Sequence, residues 1–212
     1  LLPVLPTAKA PDQGSPLRLL KNPLVRLSYS LTAAVMMAGF LVLPNVSAYT
    51  QFNLGWPRER LEDLFLLGGV ATFATMRLCG YLVDRFGSMR VMVGAAVLLL
   101  FMLWQWFLAS QRWPVPLLFL VFMIALAARN VAYNTLTSKV PKAAERARFM
   151  SLQSATSHLA SSAGAIFSAQ LLRERPDHTL IGMDRVALCS MVFTVLAPLL
   201  VGLVERGVRR AA

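Results

Sequence analysis

Long hydrophobic segments separated by short polar ones dominate the pattern of this chain. Four segments contain no Asp, Glu, Lys or Arg: residues 27–57, 91–111, 149–172 and 186–204. A helix needs roughly 20 residues to cross the hydrocarbon core of a bilayer, and each segment is about that long or longer. We therefore predict six membrane-spanning helices. They are placed at about residues 28–50, 62–84, 90–110, 115–138, 149–172 and 181–204.

The composition agrees with a membrane protein built from helices. Of the 212 residues, 57% are hydrophobic and only 15% are charged, whereas a soluble domain carries about 25% charged residues. The two cysteines, Cys79 and Cys189, show no CxxC or metal-ligand spacing, so we expect neither a disulfide nor a metal site. The sequence predicts an all-α polytopic membrane protein without a cofactor.

The positive charges indicate how the helices are oriented. The formal net charge is +11, but the basic residues lie at span ends and do not form one soluble face, which argues against nucleic-acid binding. With six spans, both termini lie on one side of the membrane. That side carries 13 of the 21 Lys and Arg residues, the opposite side carries six, and Arg77 and Arg129 lie within spans. The positive-inside rule therefore predicts cytoplasmic termini.

The two ends of the chain differ from its apolar centre. Residues 1–27 contain several prolines with Gly14 and Ser15 and show no helical period, so we expect a flexible cytoplasmic lead-in or inter-domain linker. The transmembrane domain then covers 28–205, and residues 206–212 form a cytoplasmic tail. The chain begins Leu-Leu-Pro, without a methionine or a signal-peptide pattern. We therefore expect it to be a piece of a longer protein.

A short polar segment between the second and third predicted spans carries the most specific signal in the chain. Its sequence is Gly-Tyr-Leu-Val-Asp-Arg-Phe-Gly-Ser-Met-Arg, residues 80–90, and its length predicts a tight loop. Its two glycines allow backbone conformations that a side chain forbids. One interpretation is a plain polar turn. The other is a conformational latch, in which Asp84 contacts helix ends and Arg85 and holds the cytoplasmic side shut in one state.

Six spans with a G-x-L-x-D-R-x-G loop between the second and third resemble one half of a major facilitator superfamily (MFS) transporter. Five positions match this signature: Gly80, Leu82, Asp84, Arg85 and Gly87. Ser88 and Met89 occupy positions that are usually basic in the family and leave only Arg90, which fits the weaker copy in the second half of such transporters. The loop at residues 141–153 is similar to the matching loop of drug-efflux and sugar-efflux members.

The resemblance implies a fold, a mechanism and partners. The chain would be the C-terminal half, spans 7–12, of a 12-helix efflux-type secondary transporter in a bacterial inner (plasma) membrane. Such transporters move a small solute by alternating access, with the substrate near the midplane between two six-helix halves. The partners would be a small-molecule substrate, the lipid bilayer, and the N-terminal half or a second copy. The latch residues would be Gly80, Asp84, Arg85, Gly87 and Arg90.

A polar stripe on the fourth predicted span is a candidate wall of a substrate cavity. It contains Arg129, and charged residues inside a span usually face protein or water. The residues that share its helical face are Asn130, Tyr133, Asn134 and Thr137. The alternative is that Arg129 extends to the cytoplasmic interface. In the first span, Asn45 and Tyr49 lie four residues apart and either line the same cavity or pack within the domain.

Two more polar side chains lie within spans. Arg77 shares a helical face with Asp84, and we expect a local structural contact between them. His158 is the only histidine within a predicted span, and it either exchanges protons near physiological pH or is a hydrogen-bonded packing residue. Small residues recur every four positions on the same span and allow close helix packing: Ala160, Gly164 and Ser168.

Other functional classes fit the sequence less well. A hydrolase needs a nucleophile with a base, paired carboxylates or a metal cluster. Only His158 with its neighbouring serines comes close, so we predict that the protein is not an enzyme. A non-transporting membrane scaffold or receptor with an MFS-like half stays as the alternative to a transporter. No Asp or Glu lies in the middle of a predicted span. Either the other half carries a coupling carboxylate, or His158 exchanges the proton, or transport is not proton-coupled, and we favour the first of these.

Overall fold

The computed structural model describes residues 16–109 and 113–211 and shows an almost entirely helical chain. A short 3-10 turn, Pro16–Lys21, precedes six α-helices. The helices are α1 (Pro23–Ala48), α2 (Leu61–Phe86), α3 (Ser88–Phe107), α4 (Val115–Thr137), α5 (Arg146–Leu171) and α6 (Met183–Ala211). Residues 1–15, most of the predicted lead-in, lie outside the described residues.

The helices form where the hydrophobic pattern predicts them, but the first and the last extend further than expected. α1 begins at Pro23, inside the predicted lead-in, because the Asn22 side chain caps it by accepting a backbone N–H at 2.9 Å, and proline suits the first helical position. α6 continues to Ala211, through the predicted tail. There, Arg209 pairs with Glu205 one turn earlier, at 2.6 Å, which supports the helix.

Five of the six helices in the described part of the chain are long and apolar enough to cross a membrane. α5 is the exception: at 26 residues it is as long as α1, but its serine, threonine, glutamine and histidine residues lower its hydropathy. The prediction of six spans is therefore supported for five helices. α5 has the predicted position and length with a more polar composition.

Helix packing leaves α2 and α5 at the two edges of the bundle. α1 packs along its length against α5 and α6, which hardly touch one another. α3 packs against α6 and α4, and α4 packs in turn against α2. The end that carries the α2–α3 turn also contains the start of α1 and the end of α6. We call it the inner end, because it is the end predicted to face the cytoplasm.

A short hairpin between α5 and α6 is held to the outer end of α1. Its strands are β1 (Arg173–Glu174) and β2 (Leu180–Ile181), paired antiparallel. The side-chain amide of Asn53, just beyond α1, donates to Leu180 O at 2.8 Å and accepts from Leu180 N at 2.9 Å. Both backbone groups of Leu180 in β2 are therefore paired with Asn53. In the turn, the hydroxyl and N–H of Thr179 donate to Asp177 and hold the pKa of that carboxyl below its usual value.

The predicted small residues of α5 form its contact with α1. Ala160, Gly164 and Ser168 are all buried. A Cβ added at Gly164 would lie 3.3 Å from the backbone oxygen of Met37, so the two helix backbones approach closely there. Beside this contact, Asn45 Nδ2 donates to Ser168 Oγ at 2.8 Å. Without water between helices, such packing and side-chain hydrogen bonds drive association in a membrane.

Replacing Gly164 with leucine should weaken this packing. Two backbone atoms of α1 and the Cβ of Phe40 lie 3.3–3.4 Å from a Cβ added at Gly164. The larger side chain must therefore push the helices apart, at a cost of about 1–3 kcal/mol. We expect a lower midpoint in thermal unfolding of the detergent-solubilised protein, followed by circular dichroism. Gly69→Leu is the control, since nothing lies within 4 Å of a Cβ at Gly69. Equal effects of the two substitutions would contradict the assignment.

Candidate functional site

The connection between α2 and α3 is a single residue, Gly87. α2 ends at Phe86 and α3 begins at Ser88, so the predicted tight loop over residues 80–90 is wrong in its extent, because helical hydrogen bonding continues on both sides of one reversal. Gly87 has φ 86° and ψ 155°, a combination that is open essentially to glycine alone. Gly80 lies within α2 with nothing within 4 Å of an added Cβ, so the backbone does not require glycine there.

The charged residues of the signature lie in the last turns of α2 and make only local contacts. Arg85 Nη1 donates to Tyr81 OH at 3.3 Å, and its guanidinium lies 5.4 Å from the centre of the Phe86 ring. Asp84 is exposed and has no hydrogen-bond or ion-pair partner in the part of the chain that the structure describes. Its carboxylate is free to meet a group outside this domain.

The predicted contact between Arg77 and Asp84 is wrong. The two residues share a face of α2 but lie two helical turns apart, about 10 Å along the axis. Neither forms an ion pair with any described residue, and both side chains are exposed. A contact on one helix requires a spacing of three or four residues.

Glu205 of α6 lies beside the α2–α3 turn, a position that the sequence analysis did not identify. A Cβ added at Gly87 would lie 3.9 Å from Glu205 Oε1. The unpaired N–H groups at the start of α3 favour a nearby carboxylate. Glu205 carries no motif and stands more than a hundred residues from the turn in the sequence, so only the packing of α6 reveals the contact.

Arg129 lies inside the bundle and does not extend to the interface. Its side chain is only 3% exposed, and a Cβ added at Gly39 of α1 would lie 3.1 Å from Arg129 Nη2. This position excludes the alternative in which Arg129 reaches the cytoplasmic surface. Among the described residues, Arg129 Nε and Asn130 Oδ1 are buried without a hydrogen-bond partner. No acidic side chain among the described residues forms an ion pair with Arg129.

A cavity of about 260 Å³ lies between the inner halves of α4 and α5. Three of the predicted cavity residues come together in its wall: Tyr133, Asn134 and His158. Four residues that were not among those predicted from the sequence complete the lining: Met150, Gln153, Ser154 and Ser157. Gln153 is held in place by donating to Thr137 Oγ1 at 3.1 Å. The wall presents hydroxyl, amide and imidazole groups, which can donate and accept hydrogen bonds.

The other predicted cavity residues lie elsewhere. Asn45 joins α1 to α5 through Ser168, and the Tyr49 ring packs against Phe107 with centroids 5.0 Å apart. Both stand toward the outer end of α1 and do not line the cavity between α4 and α5. Arg129 and Asn130 are close in sequence to Tyr133 and Asn134 but do not line that cavity.

α5 buries one narrow stripe and leaves the rest of its surface open. Its buried residues are Phe149, Gln153, Ala160, Gly164 and Ser168. The open surface carries Ser151, Ser154, His158 and Ser162 alongside exposed apolar residues such as Leu159. The polar part continues the lining of the cavity along the edge of the bundle. α5 therefore combines a packed face with a polar face at the same membrane depth.

A family model described as Major Facilitator Superfamily matches residues 28–204. The chain belongs to this superfamily. The match covers all or most of each of the six helices and includes the α2–α3 turn, the α4–α5 cavity and Arg129. Together with the five apolar helices, it establishes a multi-pass integral membrane domain of a transporter family. No solved structure gives a significant match to the chain.

The glycines of the MFS signature should differ in their tolerance of a side chain. Gly87→Ala places a Cβ at φ 86° and should cost about 1–3 kcal/mol, lowering the midpoint of thermal unfolding in detergent. Gly80 lies about two helical turns earlier, with nothing within 4 Å of an added Cβ. Gly80→Ala should therefore be neutral or stabilise α2 by up to about 1 kcal/mol. A similar loss in both variants would show that the turn is not the constrained position.

Proposed function

We propose that this chain is the C-terminal six-helix half of an efflux-type secondary transporter. It moves a small solute by alternating access together with an N-terminal six-helix half, and both of its own ends face the cytoplasm of a bacterium. The observation that carries this proposal is the polar face of α5 beside the polar cavity between α4 and α5. Membership of the transporter superfamily supplies the functional class, and the cavity supplies a place for the solute.

The composition of α5 is what a helix needs if it crosses the membrane beside water. α5 packs on α1 over most of its length, and α1 is itself one of the apolar helices that can span the bilayer. α5 therefore lies at the same depth as its neighbour. Polar side chains at that depth are costly against lipid but are tolerated against protein or a water-filled cavity. The open face of α5 thus borders a cavity or the other half.

The size of the cavity fits one wall of a shared site. Its volume of about 260 Å³ is slightly below the range of about 300–1,000 Å³ that complete ligand sites occupy. A second half facing α5 would enclose and enlarge it. Tyr133, Asn134 and Ser157 then supply hydrogen bonds that orient the solute, with His158 at the open edge.

The signature at the inner end is the proposed latch of the cycle. Gly87 fixes the reversal between α2 and α3, and Arg85 is held by its own helix. Asp84 is exposed and unpaired among the described residues, so its charge is available to a helix end of the other half. Formation and loss of that contact would bias the two states of the domain pair. Gly80 and Arg90 complete the proposed latch segment.

Cysteine labelling tests whether α5 borders water. In vesicles, after Cys79 and Cys189 have been replaced by alanine, Ser154→Cys should react with a membrane-impermeant maleimide at least about tenfold faster than Val97→Cys, because only a hydrated thiol ionises readily. The two positions are matched, lying about 12 Å and 14 Å from the inner ends of α5 and α3. Equal, slow labelling of both would place α5 against lipid and contradict the proposal.

Transport by paired halves tests the function itself. The chain should take up none of a panel of labelled small solutes when reconstituted alone in liposomes, because it supplies one wall of the site. Reconstitution with the N-terminal six-helix half of the parent protein should give saturable uptake of at least one solute. Uptake by this chain alone would overturn the need for a second half. A stable pair that moves no solute would favour the non-transporting scaffold or receptor.

A further inference from the structure

A cavity of about 450 Å³ opens at the inner end of the domain, where the α2–α3 turn meets the end of α6. It is larger than the cavity between α4 and α5 and shares no lining residue with it. Arginines from two helices line it: Arg90 of α3, and Arg206 and Arg209 of α6. The proposed transport cycle uses none of the α6 residues.

The charge in this cavity is only partly compensated. Glu205 is its one acidic residue, and Glu205 Oε1 accepts from Arg209 Nη2 at 2.6 Å. Arg90 and Arg206 have no hydrogen-bond or ion-pair partner in the described part of the chain. Two guanidinium groups therefore face the same space with their donors free. Guanidinium groups bind phosphate oxygens through paired, charge-assisted hydrogen bonds.

The base of the cavity is apolar. Phe86 and Met89 line it beside Gly202, and a Cβ added at Gly202 would lie 3.6 Å from Met89 Cε. The Met89 side chain of α3 thus packs against Gly202 of α6. A ligand that places an anion among the arginines would place its other end against these apolar atoms.

A second, apolar groove of about 330 Å³ borders this cavity. The two spaces share Phe86 and Arg90. The groove runs between α2 and α3, from Arg90 to Leu98, and Ala128 of α4 also lines it. It extends about 12 Å along α3. Gly94 leaves it open, since nothing lies within 4 Å of a Cβ there.

We propose that the arginine cavity and the apolar groove form one binding site for an anionic phospholipid. The phosphate lies among Arg90, Arg206 and Arg209, and an acyl chain lies in the groove between α2 and α3. The charge of the cavity selects an anionic headgroup, and the groove, which begins at the same arginine, selects a ligand with a hydrocarbon chain. Basic pockets between helices at the cytoplasmic surface suit such headgroups. The site does not depend on the proposed transport activity.

Lipid titration of the purified chain tests the site. Native mass spectrometry in a neutral detergent should show dioleoyl phosphatidylglycerol bound at least about tenfold more tightly than dioleoyl phosphatidylcholine, and only the anionic lipid should raise the thermal unfolding midpoint. Inorganic phosphate at the same concentration should not raise it. Protection by phosphate equal to that by the lipid would replace the proposal with a free-anion site. Equal binding of both lipids would overturn it.

Two pairs of variants separate the headgroup cavity from the groove. Arg90→Gln should weaken phosphatidylglycerol binding about tenfold through loss of a charge-assisted contact, whereas Arg26→Gln, an exposed arginine of α1 outside both spaces, should not. Gly94→Leu adds a side chain at a position where a Cβ has no atom within 4 Å and should weaken binding to a similar extent by occupying the groove. Gly69→Leu, outside both spaces, should not. Unchanged binding in Gly94→Leu would contradict the acyl-chain assignment even if Arg90→Gln failed to fold.

Discussion

The contact between α1 and α5 is the interaction on which the rest of the domain depends. Among the helices that the structure describes, only α1 packs extensively on both α5 and α6, so it joins the polar edge of the bundle to its apolar body. Gly164 lets the backbones approach, and at the inner end Tyr29 OH donates to Phe149 O at 3.2 Å while the two rings stack. Because these contacts use one stripe of α5, they fix the direction in which its serines and His158 point.

The positions and approximate lengths of the helices were predictable because bilayer thickness sets the length of an apolar helix. The exceptions have local causes. Asn22 and Pro23 start α1 before the apolar segment begins, and helical bonding carries α2 through the polar signature as far as Phe86. Hydropathy identifies where a helix must be apolar, whereas caps and positive-φ glycines determine where it ends. The φ of Gly87 could be anticipated from its residue type, but the one-residue length of the turn could not.

The candidate site was predictable only one helix at a time. Tyr133 and Asn134, four and five residues after Arg129, belong to the predicted polar stripe of α4, and His158 marks a polar face of α5. Which faces meet depends on packing, so the pairing of Thr137 with Gln153 had no signal in the sequence. The same limit applied to Arg129, whose long side chain could reach either the interface or the interior. Gly39 of α1 provides the space that decides between them.

Arg129, like the open polar face of α5, has polar groups that the described residues of this domain do not pair. Leaving one buried charge without its partner costs about 3–5 kcal/mol, and Arg129 is buried with no acidic group in any of the described contacts. Within the proposed transporter, an anionic group of the other half or of the solute offsets this cost in the state where it approaches α4. The state in which this anionic group approaches Arg129 is then the more stable one. The difference in free energy can shift the equilibrium between the two conformations of the proposed transporter.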